Sequence, residues 1–92
     1  MTDAFESVRV RVLDPDGNPV PEASVRFTDA PVPVPDIAGL ADDKGEVVMA
    51  APAPGHYGVG VLAEGFEETI STVEVAAHAD NVLEVRLRPE PR

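Results

Sequence analysis

The amino-acid sequence predicts an all-β domain of about seven short strands, stacked as an antiparallel Greek-key sandwich. Three observations predict it. Apolar and polar residues alternate with a period of two along most of the chain, as in strands with one buried face. Clusters of Gly, Pro, Asp and Asn interrupt that alternation roughly every 8 to 12 residues, the turn spacing of a sandwich. No stretch of roughly ten residues or more carries an apolar stripe at helical spacing.

Ser7 to Leu13 alternates strictly, with Val8, Val10 and Val12 on one face and Arg9 and Arg11 on the other. Asp14-Pro-Asp-Gly-Asn-Pro19 is a dense turn signal. Ala23, Val25 and Phe27 then alternate with Ser24, Arg26 and Thr28 in a second strand, expected to pair with the first as a hairpin-like unit. Pro31, Pro33 and Pro35 remove a backbone donor at every second position, so residues 30–36 are expected as an extended loop or an edge segment. Prolines there also block strand addition by other chains. Ile37 to Ala41 is expected as a short strand closed by Asp42-Asp-Lys-Gly45, and Glu46 to Ala51 as another, ended by Pro52-Ala-Pro-Gly55.

From His56 to Ala63 one face holds Tyr57, Val59, Val61 and Ala63, and the other Gly58, Gly60 and Leu62. Two glycines on one face predict a close approach by another backbone or a thinly covered sheet surface. Glu64-Gly65 turns the chain, Phe66 to Val75 is strand-like, and residues 76–80 form a loop. Asn81 to Arg88 closes the domain, with Leu83, Val85 and Leu87 opposite Glu84, Arg86 and Arg88.

Composition bounds the function. The 92 residues are one domain, expected over 7–88 with short polar tails at 1–6 and 89–92. A chain of that size buries roughly two-thirds of its unfolded surface. A hydrophobic fraction of 43% excludes a disordered acidic chain, and only Phe5, Phe27, Tyr57 and Phe66 are aromatic, so Val, Leu, Ile and Ala carry the core. The absence of cysteine excludes disulfides, thiolate metal sites and a cysteine nucleophile. Seven basic against 17 acidic residues, a net charge of −10, argues against nucleic acid and anionic membrane, because phosphate contacts need clustered Lys and Arg. The arginine-rich, lysine-poor acid excess suits a high-salt cytoplasm and a high-GC genome equally. No apolar run approaches the roughly 18 residues of a membrane span. The opening Met1 to Glu6 has neither the basic nor the apolar region of a signal peptide. The expectation is a protein that is cytoplasmic or assembled in the cytoplasm.

The turns carry a family resemblance. In order stand Asp16-Gly17-Asn18-Pro19-Val20-Pro21 with Ala23-Ser24-Val25, then Asp42-Asp43-Lys44-Gly45, Pro54-Gly55-His56-Tyr57 and Ala63-Glu64-Gly65-Phe66. Over residues 7–88 this series resembles the carboxypeptidase regulatory-like domain, a seven-stranded sandwich of the transthyretin-like (prealbumin-like), Ig-like type. The family often has Thr before its Asp-x-x-Gly turn, where this chain has Ala41. The motif residues have structural roles. Gly17 and Gly45 supply positive φ at tight turns, and Pro19 holds the chain extended into the next strand. Gly55 lets Tyr57 point inward, where its hydroxyl needs a partner. Gly65 turns the chain and places Phe66 in the core. The resemblance implies a non-catalytic module, the usual role of such domains beside enzymes and receptors.

The resemblance also brings enzymatic relatives, whose residue requirements this chain does not meet. A hydroxyisourate hydrolase would need several His and Arg residues and a Tyr-Arg-Gly-Ser end, where this chain ends Arg88-Pro-Glu-Pro-Arg92. An intradiol dioxygenase holds iron with two Tyr and two His, and Tyr57 is the only tyrosine. A pilin-type isopeptide needs a lysine on an early strand, and Lys44 lies in a turn. His56 and His78 are 22 residues apart without a third ligand at metal-like spacing and read as loop or surface residues. Ser7, Ser24 and Ser71 lack a nucleophile-elbow context. Asp14 to Asn18 starts like a calcium loop but has Pro19 and Val25 where an EF-hand requires Gly and Glu. Asp42, Asp43 and Glu46 read as a solvated turn.

The expected function is therefore non-enzymatic. The domain is an accessory or structural subunit acting through protein–protein contacts, with no cofactor, in a larger object such as a phage-type particle or tail-like machine. Its partner is a further copy or a basic protein. Val32, Val34 and Ile37 are the candidate anchors of a contact loop. The acidic stretch Glu64, Glu67, Glu68 and Glu74 is a second candidate surface. The alternative is a module binding carbohydrate or Ca²⁺ through the loops at one end of the sandwich.

Overall fold

The computed structural model describes residues 6–34 and 38–90. Seven strands follow in order: β1 (Glu6–Leu13), β2 (Ser24–Asp29), β3 (Gly39–Leu40), β4 (Glu46–Ala51), β5 (Gly55–Leu62), β6 (Thr69–Val75) and β7 (Asn81–Arg86). They form a three-stranded sheet, β4-β1-β7, and a four-stranded sheet, β3-β2-β5-β6. There is no helix among the described residues.

Alternation decides which side chains meet between the sheets. From β1, Val8, Val10 and Val12 are wholly buried, and Val25, Tyr57, Val59 and Val61 meet them from the four-stranded sheet. β7 and the residue after it add Val85 and Leu87, and β4 adds Met49 and Ala51. Branched side chains suit a pleated, close-packed layer, and full burial of each large one stabilises the fold by roughly 1.5–3 kcal/mol. Phe66 is half-buried at the margin of this core, less deeply placed than the sequence motif implies.

Two pairings depart from expectation. β1 and β2 do not form a hairpin-like unit. They lie in different sheets and share only the core between them; the Leu13–Pro19 bridge and the bond from the Val20 N–H to the Val12 carbonyl (3.0 Å) belong to the connection that follows β1. The ten residues between the strands are long enough to change layers, and buried Val20 and Ala23 draw the chain across. The sandwich is also not wholly antiparallel, because β1 pairs with β7 in parallel, Val8 opposite Asn81 through Leu13 opposite Arg86. Parallel neighbours need a long connection, and here the rest of the domain is that connection.

Residues 30–34 form no strand, as the prolines require, and Pro31 packs on Gly55, where an added Cβ would lie 2.9 Å from the ring. The short strand expected over Ile37 to Ala41 is reduced to Gly39–Leu40. Thr69 begins β6, three residues after Phe66. Past β7 the chain crosses to the other sheet. The Glu67 N–H donates to the Arg88 carbonyl (2.8 Å), and the Glu90 N–H to the Gly65 carbonyl (3.1 Å).

Candidate functional site

The polar residues that suggest chemistry are mostly occupied by the backbone. Asp14 and Asp42 open two turns of the same design. In each, Oδ1 accepts from the N–H two residues on (Asp16, Lys44; both 2.9 Å) and four residues on (Asn18 2.9 Å, Glu46 3.0 Å). The fourth residue is a glycine at positive φ, Gly17 at 87° and Gly45 at 74°. Such Asx turns satisfy amides that a tight reversal would leave open. The carboxylate that holds the first turn is Asp14, whereas Asp16, the motif residue, is exposed and contributes its N–H. Bonds from the Glu46 and Lys44 N–H groups hold the Asp42 carboxyl below its ordinary value of 3.8.

The two turns touch. A Cβ on Gly45 would stand 2.5 Å from the Val12 carbonyl oxygen and 3.1 Å from Pro19, whereas one on Gly17 or Gly65 would meet nothing within 4 Å. Tyr57 is buried as its motif predicts, with its ring centroid 4.8 Å from that of Phe27. Its hydroxyl donates to the Ala53 carbonyl (2.6 Å) and accepts from the Ala53 N–H (3.2 Å), tying down the turn that ends at Gly55 (φ 142°).

Sequence reasoning missed Asn81. Its amide donates to the carbonyls of Ser7, Ala76 and Ala79 and accepts from the Ala76 N–H (2.9 Å). It thereby fixes the β6–β7 loop to β1. His78 in that loop is exposed, at φ 57°, and its N–H donates to Glu6. His56 is exposed on β5 opposite Glu74. Among the described residues, no group of three or more His, Asp or Glu side chains is placed to hold a metal ion.

The expected contact loop is only partly free. Val34 packs against the core and Val32 is half-buried, while Ile37 lies outside the described residues. The exposed large apolar side chains stand instead on the outer sheet faces. Leu40, Leu62 and Ile70 are on the four-stranded sheet, and Val48 and Val82 on the three-stranded one. On the latter, Val48, Arg9 and Val82 form one row across all three strands, beside a shallow concavity of about 240 Å³. Arg11 pairs with Glu46 (3.1 Å), and Arg26 with Glu68 (2.8 Å) on the opposite face. Arg9 has no ion pair among the described residues.

The two glycines of β5 are explained on that opposite face. A Cβ at Gly58 would lie 2.5 Å from Thr28 Oγ1, and one at Gly60 would lie 2.9 Å from Thr28 Cγ2 and 3.5 Å from the Arg26 guanidinium. The neighbouring strand covers them, with side chains at Gly60 and with both side chains and the Asp29 backbone N (3.3 Å) at Gly58.

Two sheets of this order around a valine-rich core define a β-sandwich module, with the Asp14 and Asp42 carboxylates of its turns set on backbone amides. The sequence profile of the carboxypeptidase regulatory-like domain matches residues 7–88, and the chain belongs to that family. No curated protein matches the chain at a significant level.

Among solved structures, a Streptococcal ancillary pilin is similar over 100% of this chain and 34% of its own, at TM-score 0.77 and 17% identity. The Bacillus anthracis TIE protein is similar over 94% of this chain and 17% of its own, at TM-score 0.74 and 17% identity. Hydroxyquinol 1,2-dioxygenase from Pseudomonas putida DLL-E4 is similar over 98% of this chain and 58% of its own, at TM-score 0.71 and 14% identity. The chain thus spans less than two-thirds of each, and at these identities the likeness is one of fold.

Proposed function

We propose that this domain is a non-enzymatic β-sandwich module that works through protein–protein contacts, as an accessory or structural subunit assembled in the cytoplasm into a larger object such as a phage-type particle or tail-like machine. One contrast carries the reading. The polar groups of the interior and turns (Tyr57, Asn81, Asp14, Asp42) are engaged with backbone, while both outer sheet faces present large apolar side chains to solvent. Exposed apolar surface rimmed by charge is the mark of a contact face. The pilin and TIE likenesses support such a role by analogy of fold. The dioxygenase likeness is weighed against the side chains: the chain's one tyrosine is buried on Ala53, and its two histidines are exposed on separate elements.

The test is recovery of tagged protein from its native source, with quantitative mass spectrometry, for the wild type and for Val48→Ser/Ile70→Ser. The wild type should bring down a partner or further copies at reproducible stoichiometry, and the variant should lose them. A wild-type monomer that retains nothing, or a variant that retains everything, would contradict the reading.

A further inference from the structure

We infer that the two outer sheet faces are each other's partners, so that the three-stranded face of one copy stacks on the four-stranded face of the next. This rests on the contact-module reading and names its partner as a second copy of the chain.

Charge argues for it first. The three-stranded face carries Arg9, Arg11 and Arg86 against Glu46 and Glu84, with Asp80 at the rim, and is close to neutral in a chain of net charge −10. The four-stranded face carries Arg26, already neutralised by Glu68, and beyond it Glu74. At its end a concavity beside Leu62 is lined by Glu22, Glu64 and Glu90 with no cation. Two copies of the acidic face repel each other, whereas the Arg9 row meets that face with opposite sign.

The apolar groups complete the match. Val48 (60% exposed) and Val82 (51%) flank Arg9 in a single row. Across the other face Leu40 and Leu62 flank Ser24, and Ile70 (61%) stands one row on, opposite Gly60. Gly58 and Gly60 leave that face low along β5, under Thr28, Asp29 and Arg26. Face-to-face sheets pack about 10 Å apart, near enough for Val48 and Val82 to reach Leu62 and Ile70. Because the two faces differ, the contact is heterologous. It leaves one face free on each terminal copy and therefore extends into chains of subunits.

The test is sedimentation velocity of the purified full chain over a concentration series at near-physiological salt, where the mutual repulsion of copies of net charge −10 is screened. The wild type should grow past the dimer. Arg9→Glu disables one face and Leu62→Ser/Ile70→Ser the other; each alone should associate at least about tenfold more weakly and sediment as monomer. Mixed in equal amounts, the two variants retain one good face each and should form a 1:1 dimer and nothing larger. Circular dichroism and melting verify that both variants fold.

A wild type that stays monomeric, a single variant that still assembles, or a mixture that stays monomeric would overturn the inference. A monomeric wild type that still recovers a different protein from its native source overturns self-association alone. One that recovers nothing overturns the contact-module reading as well.

Discussion

The interior and turns of this domain differ from its outer sheet faces in what each leaves unsatisfied. Inside, Tyr57 has its hydroxyl on Ala53, and Asn81 makes four hydrogen bonds. No buried side-chain nitrogen or oxygen among the described residues lacks a partner. Outside, Arg9 stands without an ion pair among the described residues, between two exposed valines. The motif residues, structural by their sequence context, include the buried Tyr57 and the turn glycines, whereas the exposed apolar side chains of the outer faces are residues no motif marks. Substituting one region should cost stability, and substituting the other should cost association.

The largest stability effect is expected at Tyr57. Tyr57→Ala removes a buried ring and should cost about 3–5 kcal/mol, whereas Tyr57→Phe keeps the packing and should cost about 1 kcal/mol. Chemical denaturation measures both, and equal losses would show that the hydroxyl, not the ring, holds the Ala53 turn. A sharper comparison sets the two Asp-x-x-Gly turns against each other. Gly17→Ala meets open space and should show only the cost of positive φ, about 1–2 kcal/mol. Gly45→Ala adds a clash with the Val12 carbonyl and should reach about 2–4 kcal/mol. Similar values in the same denaturation assay would mean that the turns do not pack as described.

Smaller effects follow from charge. The Asp42 carboxyl is held low by the Glu46 and Lys44 amides, so its ionised form favours the folded state. That contribution is present above the ordinary value of 3.8 and is lost as pH falls through the lower folded-state value. Asp42→Asn keeps an acceptor and removes the charge. It should melt below the wild type at neutral pH, and the gap should close in acid below 3.8. A gap that persists there would assign the effect to packing.

The smallest expected effect is none. With Oδ1 of Asp14 and Asp42 set on backbone amides, millimolar Ca²⁺ should leave the melting temperature unchanged. A rise would move function from the sheet faces to the turns and favour the ligand-binding alternative.

Much of the fold was legible in the residues, because alternation and turn chemistry are local. Val8, Val10 and Val12, the β5 valines and Tyr57 all went where period two sends them. Pairing was less legible. The parallel β1–β7 ladder joins the two ends of the domain and leaves no local trace, and the layer change after Leu13 resembles a hairpin turn in sequence. Asn81 looks like the last polar residue of a loop; its role depends on carbonyls from residues 7, 76 and 79, which only the folded chain brings together. The exposed row Val48–Arg9–Val82 comes from three separate strands and was invisible for the same reason. The proline loop stands out by its composition, yet Val34 packs against the core.

The most direct test of the account places a photo-cross-linking amino acid at one position at a time in the protein within its native cells. Positions 48 and 70 lie on the two outer faces, and position 16 lies on an exposed turn. The account predicts discrete protein adducts from 48 and 70 and none from 16. Adducts from 16 alone, or from none of the three, would contradict it.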